Sequence, residues 1–176
     1  MSSHSKADTG EVTIGPSGGL TYTAHQIVFT KLTECAQLPL YMTSQAAGAD
    51  LFSAENVQLF SQTFRLVGTG LSAVIPPGFE VQIRPRSGLA AKHGITVLNA
   101  PGTIDADYTL EWKVILINHG PTNFPIRIGD AIAQMIVAPV TQLPFTENFA
   151  GELIPQRSVS SAQRSGGFGS TSPARK

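Results

Sequence analysis

The sequence predicts an all-β fold, and three observations lead to this prediction. The 176 residues include 17 Gly and 12 Pro, which is more than a helix bundle tolerates and suits short strands joined by turns. Apolar and polar residues alternate along residues 79–84, as in a strand with one buried face. No stretch combines an N-cap, a sustained 3.6-residue repeat and a C-terminal Gly. We therefore expect one compact β-barrel or double-sheet domain.

Other segments add strands and one short helix to this prediction. Residues 26–30 are rich in β-branched and aromatic side chains, which favours a partly buried strand. Residues 112–117 and 132–137 are more continuously apolar. This pattern favours strands covered on both faces, and periodicity alone leaves a short buried helix open as an alternative. One short helical segment is expected near residues 89–92.

The two ends of the chain differ in composition from its centre. The N-terminal residues mix Ser, Gly and charged side chains without an apolar run, so they resemble neither a signal peptide nor a membrane span. After Glu152 the chain has four positive and no acidic side chains among Ser and Gly, and it cannot bury enough apolar area to fold alone. We predict a flexible arm over residues 1–25, a β-domain over residues 26–150 and a flexible tail over residues 151–176.

Charge and cysteine content exclude several classes of protein. Twelve basic and twelve acidic side chains give a net charge of zero, which argues against nonspecific binding to nucleic acid or membranes. Cys35 is the single cysteine, so an intrachain disulfide framework and a Cys-based zinc site are excluded. The four His are scattered without metal-ligand spacing. We expect an intracellular protein of the cytoplasm or nucleus, with no nucleic-acid or membrane partner.

Residues 84–90 contain side chains suited to phosphate binding. Arg86 offers a forked cation, Ser87 a hydroxyl and Gly88 a backbone that an anion can approach closely. The alternative is an ordinary turn after the strand at residues 79–84. Local sequence leaves both interpretations open.

A second anion-binding pattern lies at residues 164–171. Its glycines let backbone N–H groups point toward an anion, Arg164 adds a bidentate phosphate donor, and Ser and Thr add hydroxyls. Phe168 stands between glycines, where its side chain is suited to stack on a flat ring. Composition alone also fits a disordered tail.

Residues 102–108 predict a tight hairpin that holds Asp105 and Tyr108 a few residues apart. An Asp and a Tyr in a turn more often serve turn formation and packing than chemistry. Asp50 is open to the same interpretation as a turn residue, and Gln134 to that of an edge-strand polar residue. Asp130, beside a glycine, is assigned to turn structure.

Five segments follow one another along the chain: residues 47–54, 84–90, 102–108, 127–134 and 164–171. In this order they resemble the five motifs of the trimeric, all-β dUTPase family, whose members hydrolyse dUTP to dUMP and pyrophosphate. The resemblance implies a dUTPase-like jelly-roll or β-clip barrel, Mg²⁺ as cofactor, and a homotrimer in which three chains build each of three sites. It also implies a role in limiting uracil incorporation into DNA and in supplying dUMP for dTTP synthesis.

The resemblance assigns roles to individual residues. Asp105 matches the general base that orients and deprotonates the attacking water. Asp50 matches a carboxylate that reaches the waters bound to magnesium, an outer-sphere role. Asn99 pairs with the uracil edge, and Tyr108 lies against the sugar where a 2′-hydroxyl would collide. The substrate-binding residues implied by the resemblance are Arg86, Ser87, Gly88, Asn99, Gly102, Thr103, Ile104, Tyr108, Lys113, Gln134, Arg164, Phe168, Gly169 and Ser170.

The chain departs from the family pattern at two places. Ala49 stands where the family usually has an aromatic residue, and Tyr108-Thr109-Leu110 stands where it commonly reads Tyr-Arg-Gly. If position 110 requires a positive φ, Leu there distorts the turn. Two other functions stay open: an enzyme related to the dCTP deaminases, and an inactive regulatory protein that keeps the barrel. Ammonia release from dCTP and pyrophosphate release from dUTP distinguish these possibilities.

Overall fold

The computed structural model describes residues 26–145 and, outside them, the backbones of four further strands. This part of the chain contains strands and one short helix, so the predicted all-β fold is confirmed. In chain order the elements are β1 (Val12–Ile14), β2 (Leu20–Tyr22), β3 (Val28–Lys31), β4 (Ala49–Phe52), β5 (Val57–Leu59), β6 (Phe64–Gly68), β7 (Leu71–Val74), β8 (Phe79–Arg84), α1 (Ser87–His93), β9 (Ile95–Val97), β10 (Gly102–Ile104), β11 (Lys113–Asn118), β12 (Phe124–Ile126), β13 (Ala131–Pro139), β14 (Glu147–Phe149) and β15 (Glu152–Ile154).

The predicted elements match the observed ones closely. The strand expected at residues 79–84 is β8, and the strand expected at residues 132–137 lies within β13. The strands expected at 26–30 and 112–117 are present but displaced along the chain by one or two residues, as β3 and β11. The helix expected near residues 89–92 is α1, which begins earlier, at Ser87. Of the predicted arm and tail, the structure describes only the strands β1, β2 and β15, whereas β14 falls at the end of the predicted β-domain.

A four-stranded antiparallel sheet in the order β10-β8-β13-β4 positions most of the candidate site. A second sheet has the order β6-β11-β9, and β12-β5, β3-β7, β1-β2 and β14-β15 form antiparallel pairs. Side chains from every strand between β4 and β13 join one apolar core. Because strand side chains alternate between faces, Val81 and Ile83 of β8 enter this core while Gln82 and Arg84 lie on the other face.

Trp112 is the largest buried side chain and anchors one end of the core. Its ring meets that of Phe29 edge to face, with centroids 5.1 Å apart, a favoured arrangement for aromatic pairs. The Trp112 carbonyl oxygen accepts hydrogen bonds from the backbone N–H and the hydroxyl of Thr69. These contacts fix the chain immediately before β11.

The C-terminal end of α1 packs against the loop that follows β11. Buried Asn118 accepts a hydrogen bond from the Gly120 N–H at 2.9 Å and donates to the carbonyl oxygens of Leu59 and Thr122. A Cβ atom on Gly120 would overlap the His93 carbonyl oxygen. Glycine is therefore required where this loop approaches the helix.

The outer face of the β6-β11-β9 sheet is apolar and largely exposed. Phe64 and Leu66 of β6 stand opposite Ile117 and Ile115 of β11. The side chains of Phe64 and Leu66 are exposed, and those of Ile115 and Ile117 are half-buried. Leu98, which donates its N–H to the Ile115 carbonyl, extends the patch. We call these five residues the apolar sheet face.

No helix in the described part of the chain is long and apolar enough to cross a membrane.

Candidate active site

Arg86 is held by residues from two strands of the four-stranded sheet. Its Nε and Nη2 atoms donate to the two carboxylate oxygens of Asp50, at 3.3 and 3.1 Å. Its Nη1 atom donates to the Ala131 carbonyl oxygen at 3.0 Å. These bonds use three of the five N–H donors of a guanidinium, and the side chain remains 36% exposed. Arg86 is thus positioned at the surface with N–H groups left for a ligand.

A β-bulge contributes to this arrangement. The register of β13 against β4 shifts between Ala131 and Ala133. A bulge interrupts the ladder of backbone hydrogen bonds locally, and here the Ala131 carbonyl accepts from Arg86. This acceptor could not be predicted from the sequence, because every residue has a backbone carbonyl.

Gln134 lies beside Asp50 on the same sheet. In register, Gln134 stands opposite Asp50 of β4 and Arg84 of β8, and its Nε2 atom donates to the Pro85 carbonyl at 2.9 Å. A Cβ atom on Gly48 would lie 2.6 Å from the Gln134 Oε1 atom. Gly48 therefore leaves the room that the Gln134 carboxamide occupies.

Ser87 and Gly88 follow Arg86 as the first residues of α1, and both are exposed. We call Asp50, Arg86, Ser87, Gly88 and Gln134 the phosphate cluster. The structure brings together these five predicted residues, which come from three of the five sequence segments. Arg84 has a different partner, since its guanidinium donates to the Gln82 Oε1 atom.

Asp105 begins a reverse turn that directly follows β10. The Tyr108 N–H donates to the Asp105 carbonyl at 3.0 Å, and the Tyr108 hydroxyl donates to the Glu111 carbonyl at 3.2 Å. The predicted β-hairpin is wrong in one respect: β10 pairs with β8, whereas the next strand, β11, pairs with β6 and β9. We call residues 105–108 the Asp105 turn.

The departures at Leu110 and Ala49 are accommodated. Among the described residues other than glycine, only Gln62 has a positive φ, at 59°. Leu110 therefore avoids the left-handed region, and the condition for a distorted turn is not met. Ala49 is buried in the core. Neither residue removes a group of the candidate site.

The remaining predicted residues surround the start of β10 and of β11. Asn99 lies over Gly102, where a Cβ atom would come within 3.1 Å of the Asn99 Nδ2 atom. Thr103 is exposed, whereas the Ile104 side chain is buried in the core, so only the backbone of Ile104 is suited to face a ligand. Lys113 is exposed and pairs with the Glu111 carboxylate at 3.2 Å.

A cavity of about 500 Å³ adjoins the Asp105 turn. It is lined by Pro77, Gly78, Phe79, Glu80, Asp105, Ala106, Asp107, Val140 and Gln142. This lining contains three carboxylates and no cation. A triphosphate brings several negative charges, so we expect its phosphates to be bound elsewhere.

The phosphate cluster and the Asp105 turn lie at opposite corners of the four-stranded sheet. Asp50 is level with Gln134 and Arg84, while Ile104 is level with Val81, which places Asp105 near the level of Glu80. Four residues along a strand and three strand spacings across the sheet separate Asp50 from Asp105 by about 20 Å. One chain therefore does not bring Arg86 and Asp105 together.

Residues 26–145 contain no group of three or more His, Cys, Asp or Glu side chains that would enclose a metal ion. Asp50 is a single carboxylate with both oxygens bonded to Arg86. Such a group fits a water-mediated contact to Mg²⁺, which usually keeps several waters and binds through few carboxylates. Four predicted substrate-binding residues, Arg164, Phe168, Gly169 and Ser170, lie outside the described residues.

The chain is similar to known dUTPases in sequence and fold. A family model described as dUTPase matches residues 34–172. The deoxyuridine 5'-triphosphate nucleotidohydrolase of Nautilia profundicola is 51% identical over 142 residues, covering 80% of this chain and 94% of the relative. That of Helicobacter hepaticus is 50% identical over 150 residues, covering 85% and 90%.

Solved structures of phage enzymes share the fold. A variant of the dUTPase from phage phi11 of S. aureus, described with a structural Mg(II) ion, superposes with a TM-score of 0.65. It is 23% identical, and the match covers 69% of this chain and 95% of that chain. A variant of the Staphylococcus bacteriophage 80alpha dUTPase, studied with dUpNHpp, gives a TM-score of 0.64 at 24% identity, covering 84% and 99%.

Proposed function

The chain belongs to the dUTPase family, and we propose that it hydrolyses dUTP to dUMP and pyrophosphate in active sites shared between the chains of a homotrimer. The main support for this proposal is that, within one chain, the residues of the candidate site lie at two separate corners of the four-stranded sheet. Arg86 provides a cation for phosphates at one corner of the sheet, and Asp105 provides a carboxylate for water at the other. Association of chains would complete the site.

The phosphate cluster is suited to bind the triphosphate of the substrate. Arg86 offers its remaining N–H groups, Ser87 its hydroxyl and Gly88 an open backbone, since beyond its chain neighbours and the helix backbone no atom lies within 4 Å of a Cβ built there. Fixed donors of this kind stabilise the charge that develops on phosphate oxygens. In the tail, Arg164 would add charge, Gly169 and Ser170 would add donors, and Phe168 would cover the base.

Asp105 is the group that we assign to water activation. Its carboxylate accepts a proton from the attacking water as the water oxygen bonds to the α-phosphorus. The bond between the α-phosphorus and the bridging oxygen breaks, and pyrophosphate leaves. Mg²⁺ bound with the triphosphate would neutralise charge on the leaving group, and Asp50 is the residue that would reach its waters.

Base and sugar selectivity are assigned to residues near the Asp105 turn. The Asn99 amide and the backbone of β10 offer both donors and acceptors to the uracil edge. Cytosine has the reversed pattern and would leave buried polar groups unpaired. Tyr108 would exclude a 2′-hydroxyl by its position. Gly102 lets Asn99 lie close to the strand, and Lys113 is exposed at the start of β11.

The apolar sheet face supports the proposed trimer. Phe64 is 60% exposed and Leu98 46%, and both belong to one surface with Leu66, Ile115 and Ile117. Contiguous exposed apolar surface of this kind marks interaction sites in soluble proteins. We assign this surface to contacts between chains.

The activity is tested by pyrophosphate release from dUTP, dCTP, dTTP and UTP, measured in parallel with ammonia release from dCTP. We expect pyrophosphate from dUTP at a rate at least about 100-fold above the other nucleotides. Arg86→Gln should lose most of this activity, whereas Lys31→Gln, which makes the same change in net charge at an exposed position, should keep it. Ammonia from dCTP would identify a deaminase, and the absence of both products an inactive protein.

The sharing of sites is tested by complementation. Arg86→Gln and Asp105→Asn each inactivate their own homotrimer, because every site then lacks one group. When the two variants are unfolded and refolded together, about a quarter of the sites should receive both intact groups from different chains. Activity near this level supports shared sites. A mixture as inactive as its parents would place Arg86 and Asp105 in the same chain's site.

A further inference from the structure

The Asp50–Arg86 pair carries one inference beyond the proposed function. The Asp50 carboxylate contacts both Nε and Nη2 of Arg86, a bidentate arrangement that fixes the orientation of the guanidinium. A phosphate oxygen also binds arginine best through two adjacent N–H groups. Asp50 and an incoming phosphate therefore compete for the charge and for the donors of the same guanidinium.

We propose that Asp50 is a selectivity residue that makes the phosphate cluster bind metal-free anions weakly. The inference rests on the proposed function, because it takes Arg86 as a phosphate-binding group. An anion on the remaining N–H groups of Arg86 lies within a few ångströms of the Asp50 carboxylate. At the effective dielectric of proteins, repulsion between unit charges at this separation is several times the thermal energy.

The backbone of Asp50 is fixed on both sides. On one side, Asp50 exchanges two backbone hydrogen bonds with Leu40, at 2.8 and 3.1 Å. On the other side, it pairs in register with Gln134 of β13. The residue is only 8% exposed, so water screens its charge less than at an exposed site. The Asp50 carboxylate thus extends from a fixed backbone position beside Arg86.

The alternative role for Asp50 is to orient Arg86 and so to strengthen anion binding. Arg86 has a second anchor in the Ala131 carbonyl, which does not depend on Asp50. Replacing Asp50 by Asn removes the charge and keeps one oxygen acceptor for the guanidinium. Asp50→Asn therefore separates the two roles, because the charge effect predicts tighter anion binding and the orienting effect predicts weaker binding.

The test is calorimetric titration of the full chain with inorganic triphosphate in the presence of EDTA. We expect Asp50→Asn to bind at least about fivefold more tightly than the wild type. Glu34→Gln makes the same change in net charge at an exposed position and should bind within about twofold of the wild type. Equal or weaker binding by Asp50→Asn overturns the proposal.

Asp50→Ser is the second variant, used if Asp50→Asn is unfolded at the assay temperature. It also removes the charge, and the same gain is expected; equal or weaker binding again overturns the proposal. The assay measures binding and does not depend on turnover. The proposed role of Asp50 and the proposed enzymatic function can therefore be refuted independently of each other. A gain in affinity without dUTP hydrolysis by the wild type would remove the enzymatic function only, and hydrolysis without a gain would remove the role of Asp50 only.

Discussion

The phosphate cluster and the Asp105 turn are built in different ways. The bonds that hold the cluster join residues 36, 45 and 49 positions apart in the chain. The turn is closed by bonds that span three residues, from Tyr108 to Asp105 and to Glu111. The cluster therefore depends on the packing of β4, β8 and β13, whereas local sequence defines the turn. Substitutions at positions distant in sequence should therefore affect the phosphate cluster more than the Asp105 turn.

The two regions also differ in charge. The cluster presents a cation that is paired with one carboxylate. The turn and its cavity present Glu80, Asp105 and Asp107. Each region thus has what the other lacks for cleavage of a polyphosphate, and variants of each should fail in different steps.

The largest expected effect is that of Asp105→Asn. We expect turnover of dUTP to fall by about 10³-fold, since general-base catalysis contributes on this order, with affinity for the analogue dUpNHpp within about threefold of the wild type. Steady-state kinetics and calorimetry measure the two quantities. Asp107→Asn, in the same turn, is the control and should keep turnover within about twofold. Near-normal turnover in Asp105→Asn would remove Asp105 from the base role.

A smaller effect is expected at Tyr108, on selectivity rather than rate. Tyr108→Ala removes the ring that would exclude a 2′-hydroxyl, so the ratio of kcat/KM for dUTP to that for UTP should fall about tenfold. Tyr108→Phe keeps the ring and loses the hydroxyl, which donates to the Glu111 carbonyl, and its ratio should match the wild type. If Tyr108→Ala leaves the ratio unchanged, sugar discrimination belongs to another group.

The smallest effect is expected at Gly48, which tests whether the cluster depends on remote packing. In Gly48→Ala the new methyl group displaces the Gln134 carboxamide and breaks its bond to Pro85. Loss of one such hydrogen bond corresponds to about a three- to tenfold rise in KM for dUTP. Affinity for deoxyuridine, which lacks phosphates, should not change. A loss of deoxyuridine affinity would show that the two regions are coupled.

The difference between the regions also decides what the sequence predicts. The alternation of apolar and polar residues at 79–84 identified β8, because the polarity of each side chain indicates the face of the sheet on which it lies. Arg86 was recognisable from its chemistry, but Asp50 lies 36 residues away, and only the resemblance placed both near phosphates. The predicted hairpin was wrong because local turn signals do not show which strand pairs with β10. The roles of the Ala131 and Pro85 carbonyls as hydrogen-bond acceptors could not be predicted, because every residue has a backbone carbonyl.

Because Gly120 contacts His93 closely, α1 and the loop that contains Gly120 should differ in the substitutions that they tolerate. None of the side chains of α1 is fully buried, although Leu89 packs against the core. Apart from Leu89 and the phosphate-cluster residues Ser87 and Gly88, the helix surface should accept many residue types. Gly120 should accept none, because any β-carbon would push the helix away from the sheet. In a library of random variants, nucleotide binding would then be sensitive to substitution at this distant loop as well as at Ser87 and Gly88, the helix residues assigned to the phosphates.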